Sequence, residues 1–265
     1  MGRQGGASRC RRVARRDADA ARRGARLKTH VGTSGYNYPE WRGTFYPDKL
    51  PASKMLAYYV ERFTTVEINA SFYRMPNPKT VAGWGQAAPA GFTYVLKAPQ
   101  RITHFARLRD IGEPLRYFCD AARALGDRLG PLLFQLPPNF KKAADRLGEA
   151  LALLPDGFRA AFEFRHESWF DDEVYALLRA RNAALCIADT EEGATPALAT
   201  ADFGYLRLRA VEYTDDALRR WIETIDRIGA GWREAYVFFK HEDTGSGPAL
   251  ARRFLALRAA SAQPA

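Results

Sequence analysis

Short apolar runs rich in β-branched and aromatic residues alternate with amphipathic segments along most of the chain. Eight such runs are strand candidates, namely His30–Ser34, Thr65–Asn69, Thr93–Ala98, Pro131–Leu136, Ala160–Arg165, Ala184–Asp189, Gly204–Arg209 and Ala235–His241. Between the runs, apolar residues recur at helical spacing, as in Leu218, Trp221, Ile222 and Ile225. This alternation predicts βα units in which one face of each helix packs on a parallel sheet.

The number of strands favours a closed (β/α)8 barrel over an open, doubly wound sheet. Neither a G-x-G-x-x-G turn nor a G-x-x-x-x-G-K turn follows any of the strand candidates. The chain has 265 residues, which fits one barrel of about 250 residues. We therefore predict an α/β fold in which residues 29–265 form a single TIM-like barrel. The segment Thr190 to Asp202 shows no helical stripe, so we expect an irregular crossover near residues 190–203.

The formal net charge of +10 is concentrated at the N-terminus. Residues 1–28 hold nine Arg and one Lys against two Asp, a net charge of +8, which leaves +2 for the rest of the chain. This arm has almost no large apolar residues, so we expect it to be disordered. It would hold nucleic acid through its phosphates, or it is a solvated tail, an organelle transit peptide or the product of a misassigned start codon.

The apolar segments are too short to cross a membrane. None approaches about 18 consecutive apolar residues, and no secretory signal precedes the first strand. The three cysteines, Cys10, Cys119 and Cys186, lie far apart and show no metal-binding spacing. These features predict a cytoplasmic protein without a membrane partner.

Polar side chains gather where the predicted strands end, which in a (β/α)8 barrel is the ligand-binding face. Residues two apart on a strand share a face, so Glu67 pairs with Asn69 and Glu163 with Arg165. A carboxylate in a barrel interior must contact a cation, a hydrogen-bond donor, a metal or a ligand, because burial of an unpaired charge is unfavourable. The residues predict either a closed salt-bridge network or a functional cluster.

The functional interpretation assigns a role to each group of residues. The candidates for acid–base chemistry are Glu67, Lys97, His104, Glu163 and His166. The candidates for substrate binding are Tyr36, Trp41, Arg42, Asn69, Tyr73, Arg74, Gln135, Arg165 and Arg207. The cofactor is left open, with a divalent metal as one alternative; its candidate ligands are Glu67, His104, Glu163, His166, Asp189 and His241.

Two aromatic segments with interleaved arginines, residues 36–46 and 71–74, follow the first two strands. Their rings would stack on a base or a sugar, while Arg42 and Arg74 hold an anionic group. Alternatively, the segments form a lid that packs for its own stability.

Several motifs in order along the chain resemble the YecE-like family, whose domain is named as one of unknown function. They are Thr33-Ser-Gly-Tyr36, Trp41-Arg-Gly-Thr-Phe-Tyr-Pro47, Val66-Glu-Ile-Asn69, Ser71-Phe-Tyr73, Lys97-Ala-Pro99, Ile102-Thr-His104, Leu133-Phe-Gln-Leu-Pro-Pro138 and Phe162-Glu-Phe-Arg-His166. The resemblance implies a TIM-like barrel and no established activity, with a fold analogy to metal-dependent barrel nucleases. The chain departs from the family pattern at Tyr36, Glu167, Arg209 and the pair Lys240-His241.

The leading hypothesis for function is a hydrolase-like enzyme, such as a phosphoester hydrolase, that acts on a small anionic or nucleotide-like substrate bearing a phosphate. The alternative is a non-catalytic protein that binds nucleic acid through the basic arm and the aromatic loops. A scaffolding role is a third hypothesis, and no residue pattern in the sequence supports it specifically.

Overall fold

In the computed structural model, which describes residues 27–191, 193–240 and 245–261, the chain forms a parallel barrel. Its strands are β1 (Lys28–Thr33), β2 (Thr65–Ile68), β3 (Thr93–Lys97), β4 (Leu129–Gln135), β5 (Ala160–Glu163), β6 (Ala184–Thr190), β8 (Phe203–Leu208) and β9 (Glu234–Phe239). Their order is β1-β9-β8-β6-β5-β4-β3-β2, and every neighbouring pair on this path is parallel. The short strand β7 (Gly193–Ala194) pairs with β6 outside this path. The predicted α/β barrel and all eight predicted strands are confirmed.

The barrel closes between β1 and β2 through a short contact. Ser34 and Glu67 form an isolated parallel bridge there, in which the Gly35 amide donates to the Glu67 carbonyl at 2.7 Å. Deeper in the barrel the Tyr59 hydroxyl lies between the two strands. It accepts a hydrogen bond from the Thr33 amide at 2.9 Å and donates to the Thr65 carbonyl at 3.1 Å. A tyrosine therefore replaces part of the hydrogen-bond ladder at the closure.

Glycine at position 32 is required by this closure. A Cβ atom on Gly32 would lie 2.2 Å from the Thr65 carbonyl oxygen. No Cβ atom tolerates such an approach to backbone, so β1 can come this close to β2 only where it has no side chain.

Helices surround the barrel and connect its strands. They are α1 (Ala52–Val60), α2 (Ala70–Tyr73), α3 (Pro78–Ala87), α4 (Gly112–Ala122), α5 (Ala144–Leu153), α6 (Asp172–Ala180), α7 (Asp215–Ile228) and α8 (Ser246–Ala260). Side chains cap several of them: Asn77 accepts from the Lys79 and Thr80 amides, and Asp171 accepts from the Glu173 amide. No helix among the described residues is long and apolar enough to cross a membrane.

The crossover between β6 and β8 is irregular, as the sequence predicts. Its described residues contain no helix, only the two-residue strand β7 (Gly193–Ala194), which runs antiparallel to β6. Two threonines fix the crossover to β6, because the Thr195 hydroxyl accepts from the Ala188 amide at 2.9 Å and the Thr200 hydroxyl accepts from the Leu185 amide at 2.7 Å. Hydroxyl contacts replace the packing of a helix along this part of the sheet.

The interior of the barrel is apolar at mid-height. One buried cluster fills it, made of Val95, Leu133, Ala161, Ala184, Cys186, Phe203, Tyr205, Tyr236 and Phe238. A second and larger apolar cluster lies between the sheet and the helices. The inward-facing residues above the interior cluster, at the carboxyl ends of the strands, are polar.

At the opposite end of the barrel, where the strands begin, a small charged cluster surrounds Glu234. Its carboxylate accepts from Arg159 Nη1 at 2.9 Å and from the Tyr236 hydroxyl at 2.8 Å. The buried His30 ring stacks on Tyr236 with centroids 4.7 Å apart. In barrels of this kind residues at this end serve stability.

Candidate functional site

A layer of polar side chains covers the apolar interior at the carboxyl end of the barrel. Alternation along each strand explains why, because each polar residue stands two positions after a residue that faces the interior. The pairs are Thr65 and Glu67 on β2, Val95 and Lys97 on β3, Leu133 and Gln135 on β4, Ala161 and Glu163 on β5, and Tyr205 and Arg207 on β8. The second member of each of the five pairs is buried.

Arg207 lies at the centre of the layer between two glutamates. Its Nη1 donates to Glu163 Oε2 at 2.5 Å, and its Nη2 donates to Glu67 Oε1 at 2.8 Å and to Ser34 Oγ at 3.0 Å. The side chains of Arg207, Glu67 and Glu163 are 1%, 0% and 1% exposed. Removal of one partner from such a buried ionic group lowers the free energy of unfolding by about 3–5 kcal/mol, because a buried charge is left unpaired.

Further donors complete the environment of Glu67. The Ser34 hydroxyl donates to Glu67 Oε1, and the Tyr205 hydroxyl donates to Oε2 at 2.6 Å. Asn69 Nδ2 in turn donates to Ser34 Oγ at 3.0 Å. Burial and the adjacent Glu67 carboxylate raise the pKa of Tyr205 well above its usual value, so its phenol remains a donor at all ordinary pH values.

Glu163 is held as a carboxylate. Burial by itself raises the pKa of Glu163, but the charges of Arg207 and Arg209 and hydrogen bonds from Arg207 and Gln135 outweigh that effect and lower it to about 2. Gln135 Nε2 donates to Glu163 Oε1 at 2.8 Å, and Arg209 Nη1 lies 3.5 Å from the same oxygen. At neutral pH this carboxyl group holds no proton that it can give to a substrate.

Lys97 differs from the other cations of the layer because, within the described residues, its amine has no ion pair with a carboxylate. The Nζ atom donates to Gln135 Oε1 at 2.8 Å and lies 3.9 Å from the centre of the Phe72 ring. Burial, reinforced by the charge of Arg207, lowers the pKa of Lys97 to about 7. A large fraction of the amine is therefore neutral at physiological pH.

His104 lies beside Lys97 on a π-helical turn, Arg101–Phe105, and its ring meets Phe72 edge-on with centroids 4.9 Å apart. Burial and the charge of Lys97 lower the pKa of His104 to about 4, so the imidazole is neutral at pH 7. Its Nδ1 lies 2.9 Å from the Thr103 hydroxyl.

The backbone after this turn is strained. Arg107, Leu108 and Asp110 have φ angles of 48°, 63° and 51°, in the left-handed region that residues with a Cβ rarely adopt. Single π-helical turns and strained backbone both concentrate at functional sites. The loop after β3 therefore has the geometry of a functional loop.

Additional cations surround the polar layer at the mouth of the barrel. Arg165 is exposed, Lys240 is partly buried and the Arg209 side chain is 20% exposed. The buried Nη1 of Arg209 and the buried Nε of Arg207 have no hydrogen-bond partner among the described residues. A buried donor without an acceptor is unfavourable by about 1–3 kcal/mol.

An aromatic cavity of about 250 Å³ adjoins the β2 side of the layer. Its lining includes Tyr36, Asn69, Tyr73 and Trp84, and the Tyr73 side chain is 73% exposed. Asn69 belongs to both places, because it lines the cavity and its side-chain amide donates to Ser34. The cavity and the polar layer are thus neighbours.

Other aromatic and basic residues of the predicted binding set lie elsewhere. Trp41 is 1% exposed and packs against Tyr38 in the core, with ring centroids 4.8 Å apart, so it does not reach the mouth. Arg42 is exposed and donates to the Leu50 carbonyl at 3.2 Å. Arg74 lines a separate cavity beside α3.

The candidate metal ligands in the described part of the chain do not form one cluster. No three His, Cys, Asp or Glu side chains within the described ranges are grouped as a metal site would require. Asp189 faces outward from the barrel, where its Oδ2 accepts from the Tyr213 hydroxyl at 2.7 Å and from Trp221 Nε1 at 3.0 Å. His166 Nδ1 accepts from the Ser168 amide and caps a short 3-10 helix. His241 lies outside the described residues, as do residues 1–26 of the basic arm.

The structure adds residues to the site that the sequence patterns did not indicate. Tyr205 could have been found, because it shares the inward face of β8 with Arg207. Ser34 gave no such signal, because its role depends on the bridge to Glu67 across the barrel closure. The contact of Phe72 with the Lys97 amine likewise depends on how α2 folds back over β3.

Comparison with solved structures supports the fold. A DUF72 family protein of Thermotoga maritima superposes with a TM-score of 0.74 at 24% sequence identity, covering 89% of this chain and 100% of that one. A DUF72 family protein of Enterococcus faecalis superposes with a TM-score of 0.70 at 17% identity, covering 88% of this chain and 98% of that one. At these identities the likeness establishes the architecture alone.

Comparison with curated sequences and family profiles points the same way. The chain is 27% identical to the UPF0759 protein YunF of Bacillus subtilis over 154 residues, which are 55% of this chain and 54% of that protein. It is 28% identical to the UPF0759 protein YecE of Escherichia coli K12 over 111 residues, which are 42% of this chain and 38% of that protein. The alignments thus span about half or less of those relatives. Since the profile of the family described as "Protein of unknown function DUF72" matches residues 30–265, the chain belongs to the DUF72 family.

Proposed function

We propose that the protein is an enzyme that binds an anionic, phosphate-bearing substrate in the cationic mouth of the barrel and uses Lys97 for proton transfer. The observation that carries this proposal is a buried amine with a pKa of about 7 placed at the ligand-binding end of a barrel. Groups whose pKa lies near the working pH are the most effective acids and bases.

The charge balance of the mouth supports an anionic substrate. Glu67 and Glu163 are matched by Arg207 and Arg209, which lie within 4 Å of them. Among the described residues, Arg165 adds positive charge beyond these matched groups, and Lys97 adds more whenever its amine is protonated. A phosphate would meet a positive potential there.

The contacts of Arg207 change the roles that the sequence suggested. Its Nη1 donates to Glu163, and its Nη2 donates to Glu67 and Ser34. We therefore assign it to positioning the glutamates rather than to holding the substrate. Glu67 and Glu163 in turn orient the donors around them, while Lys97 and the neutral His104 are the groups that exchange protons.

The aromatic cavity favours a substrate that also carries a ring. Tyr73 and Trp84 offer faces on which a base or a sugar stacks, and Asn69 offers an amide for its polar edge. This cavity adjoins the polar layer, so one ligand can place a ring in the cavity and a phosphate in the mouth. A nucleotide-like substrate fits this division.

A substrate panel with matched variants tests the proposal. Phosphomonoesters, phosphodiesters and nucleotides are assayed for turnover, and binding of inorganic phosphate is measured by calorimetry. We expect Lys97→Met to lower kcat by about 10²–10⁴-fold and Arg209→Ala to weaken phosphate binding by about tenfold or more. Arg219→Ala is the control, because Arg219 is exposed and pairs with Asp216 on α7. Full activity in Lys97→Met, or equal phosphate binding by Arg209→Ala and the control, contradicts the proposal.

A further inference from the structure

The amine of Lys97 has the environment of a nucleophile as well as that of a base. We propose that Lys97 Nζ forms a covalent imine with the carbonyl carbon of a phosphate-bearing aldehyde or ketone. This inference rests on the proposed function, because it takes the cationic mouth as the site of the phosphate. It adds the class of the substrate and the atom that reacts.

The first argument is that the carboxylates nearest to Lys97 are committed to other groups. Glu163 accepts from Arg207 and Gln135, and Glu67 accepts from Arg207, Ser34 and Tyr205. A lysine that served only to balance these charges would lie against one of their oxygens. Instead, within the described part of the chain, Lys97 is in no ion pair, and its one hydrogen-bond acceptor is a neutral amide.

The orientation of that amide follows from Glu163. A carboxylate only accepts, so Gln135 must turn its Nε2 towards Glu163, at 2.8 Å. Its Oε1 is thereby directed at Lys97 Nζ, also at 2.8 Å. One N–H of the amine is fixed by this contact, which orients Nζ without the charge that would hold the amine protonated.

Burial and the charge of Arg207 outweigh the charges of Glu67 and Glu163, which favour the protonated amine, so that the pKa of Lys97 is lowered. The Phe72 ring lies 3.9 Å from Nζ, and the charge of Arg207 adds to burial in favouring the neutral form. A desolvated lysine beside another cation is the standard arrangement of an amine nucleophile that attacks carbonyl carbon. Lys97 keeps 8% of its surface exposed, so the site is not sealed from the mouth.

The reaction balances without any further reagent. The lone pair of Nζ attacks the carbonyl carbon, and the carbonyl oxygen takes a proton to give a carbinolamine. The carbon–oxygen bond then breaks as the C=N bond forms. The two hydrogens of the neutral amine leave with the oxygen as one molecule of water. No oxidant or reductant takes part, and Arg165 and Arg209 are the cations that would hold the phosphate.

Reductive trapping tests the inference on the wild-type protein. The full chain is incubated at pH 7 with sodium cyanoborohydride and glyceraldehyde 3-phosphate, and the reduced adduct is assigned by peptide mapping. The matched probe is glyceraldehyde, which has the aldehyde but no phosphate. The other lysines of the same chain are internal controls, and Lys142, which is ion-paired with Asp171 and Glu173, is the reference.

We expect Lys97 to be modified at least tenfold faster than Lys142 by the phosphorylated aldehyde, with inorganic phosphate as a competitor. The neutral fraction of an amine of pKa 7 at pH 7 exceeds that of an ordinary lysine by roughly a thousandfold. This gain is larger than the loss of intrinsic nucleophilicity that accompanies the lower pKa. Lys97→Met should lose the adduct, and Arg209→Ala should reduce the preference for the phosphorylated probe.

Each contrary result has a distinct meaning. If phosphate binds but Lys97 reacts no faster than Lys142, the imine is refuted while the proposed function stands. If both aldehydes modify Lys97 at the same rate and phosphate does not compete, the phosphate-bearing substrate class is refuted together with the proposed phosphate binding in the cationic mouth.

Discussion

Replacement of Arg207 by methionine is the most direct test of the polar layer. The change leaves two buried carboxylates, Glu67 and Glu163, without the cation that both of them contact. Breaking a buried ionic group in this way costs about 3–5 kcal/mol of unfolding free energy. The pKa of Glu163 provides a second estimate. A value of about 2 against the ordinary 4.5 corresponds to about 3 kcal/mol for this carboxylate.

The pH dependence of the variant's free energy of unfolding tests the role of Arg207 more specifically than stability at a single pH. The folded pKa of Glu163 is depressed, so its contribution to wild-type stability is complete above about pH 4.5 and is lost as the pH falls towards 2. Without Arg207 the dominant influence on Glu163 is burial, which favours the protonated form. The variant should therefore gain stability, relative to wild type, as the pH falls.

Urea denaturation monitored by tryptophan fluorescence at pH 7 and pH 5 measures both effects. We expect Arg207→Met to be about 3–5 kcal/mol less stable than wild type at pH 7, with a smaller difference at pH 5. Arg219→Met, a change at an exposed residue, is the matched control. A difference below about 1 kcal/mol at pH 7, or one that does not shrink at pH 5, refutes the assignment of Arg207 as the cation that holds the layer together.

Two further predictions concern other parts of the barrel. Tyr59→Phe removes the hydroxyl between β1 and β2 and leaves the Thr33 amide and the Thr65 carbonyl unpaired, so it should cost about 1–3 kcal/mol in urea denaturation and speed hydrogen exchange of the Thr33 amide. Unchanged exchange there would show that the hydroxyl does not close the barrel. At the opposite end, the nearby His30 ring and the Arg159 guanidinium hold the pKa of Glu234 well below its usual value, so its stabilisation is present above about pH 4.5 and is lost on acidification. Glu234→Gln should thus lose less stability than wild type between pH 6 and pH 3, and parallel pH profiles of unfolding would contradict this.

Local patterns in the sequence were sufficient for the barrel and for much of the site. Runs of β-branched and aromatic residues mark strands because such side chains pack well on a pleated surface. The rule that parallel strands end at a common face then brings Glu67, Lys97, Gln135, Glu163 and Arg207 into one layer, where the structure places them. Period-two alternation also determines which of them face the interior.

The same patterns were less informative outside the regular strands. Asp189 ends a strand, as Glu163 does, yet it stands on the outward face of β6 and pairs with Tyr213. Trp41 lies in a loop segment that resembles a binding surface, but it packs into the core. Composition does not distinguish an aromatic residue of a lid from one of a core, because the same rings stabilise both.

The sequence by itself determined the strands, the inward-facing positions and the types of charge at the mouth. Only the tertiary structure decided which charges pair. Arg207 on β8 meets Glu67 on β2 and Glu163 on β5, although these residues are 140 and 44 positions away along the chain. These contacts arise from closure of the barrel, which brings distant strands to the same height. The closure also leaves Lys97 beside a neutral amide rather than a carboxylate. The reactivity of that amine therefore depends on distances across the barrel, which no local pattern encodes.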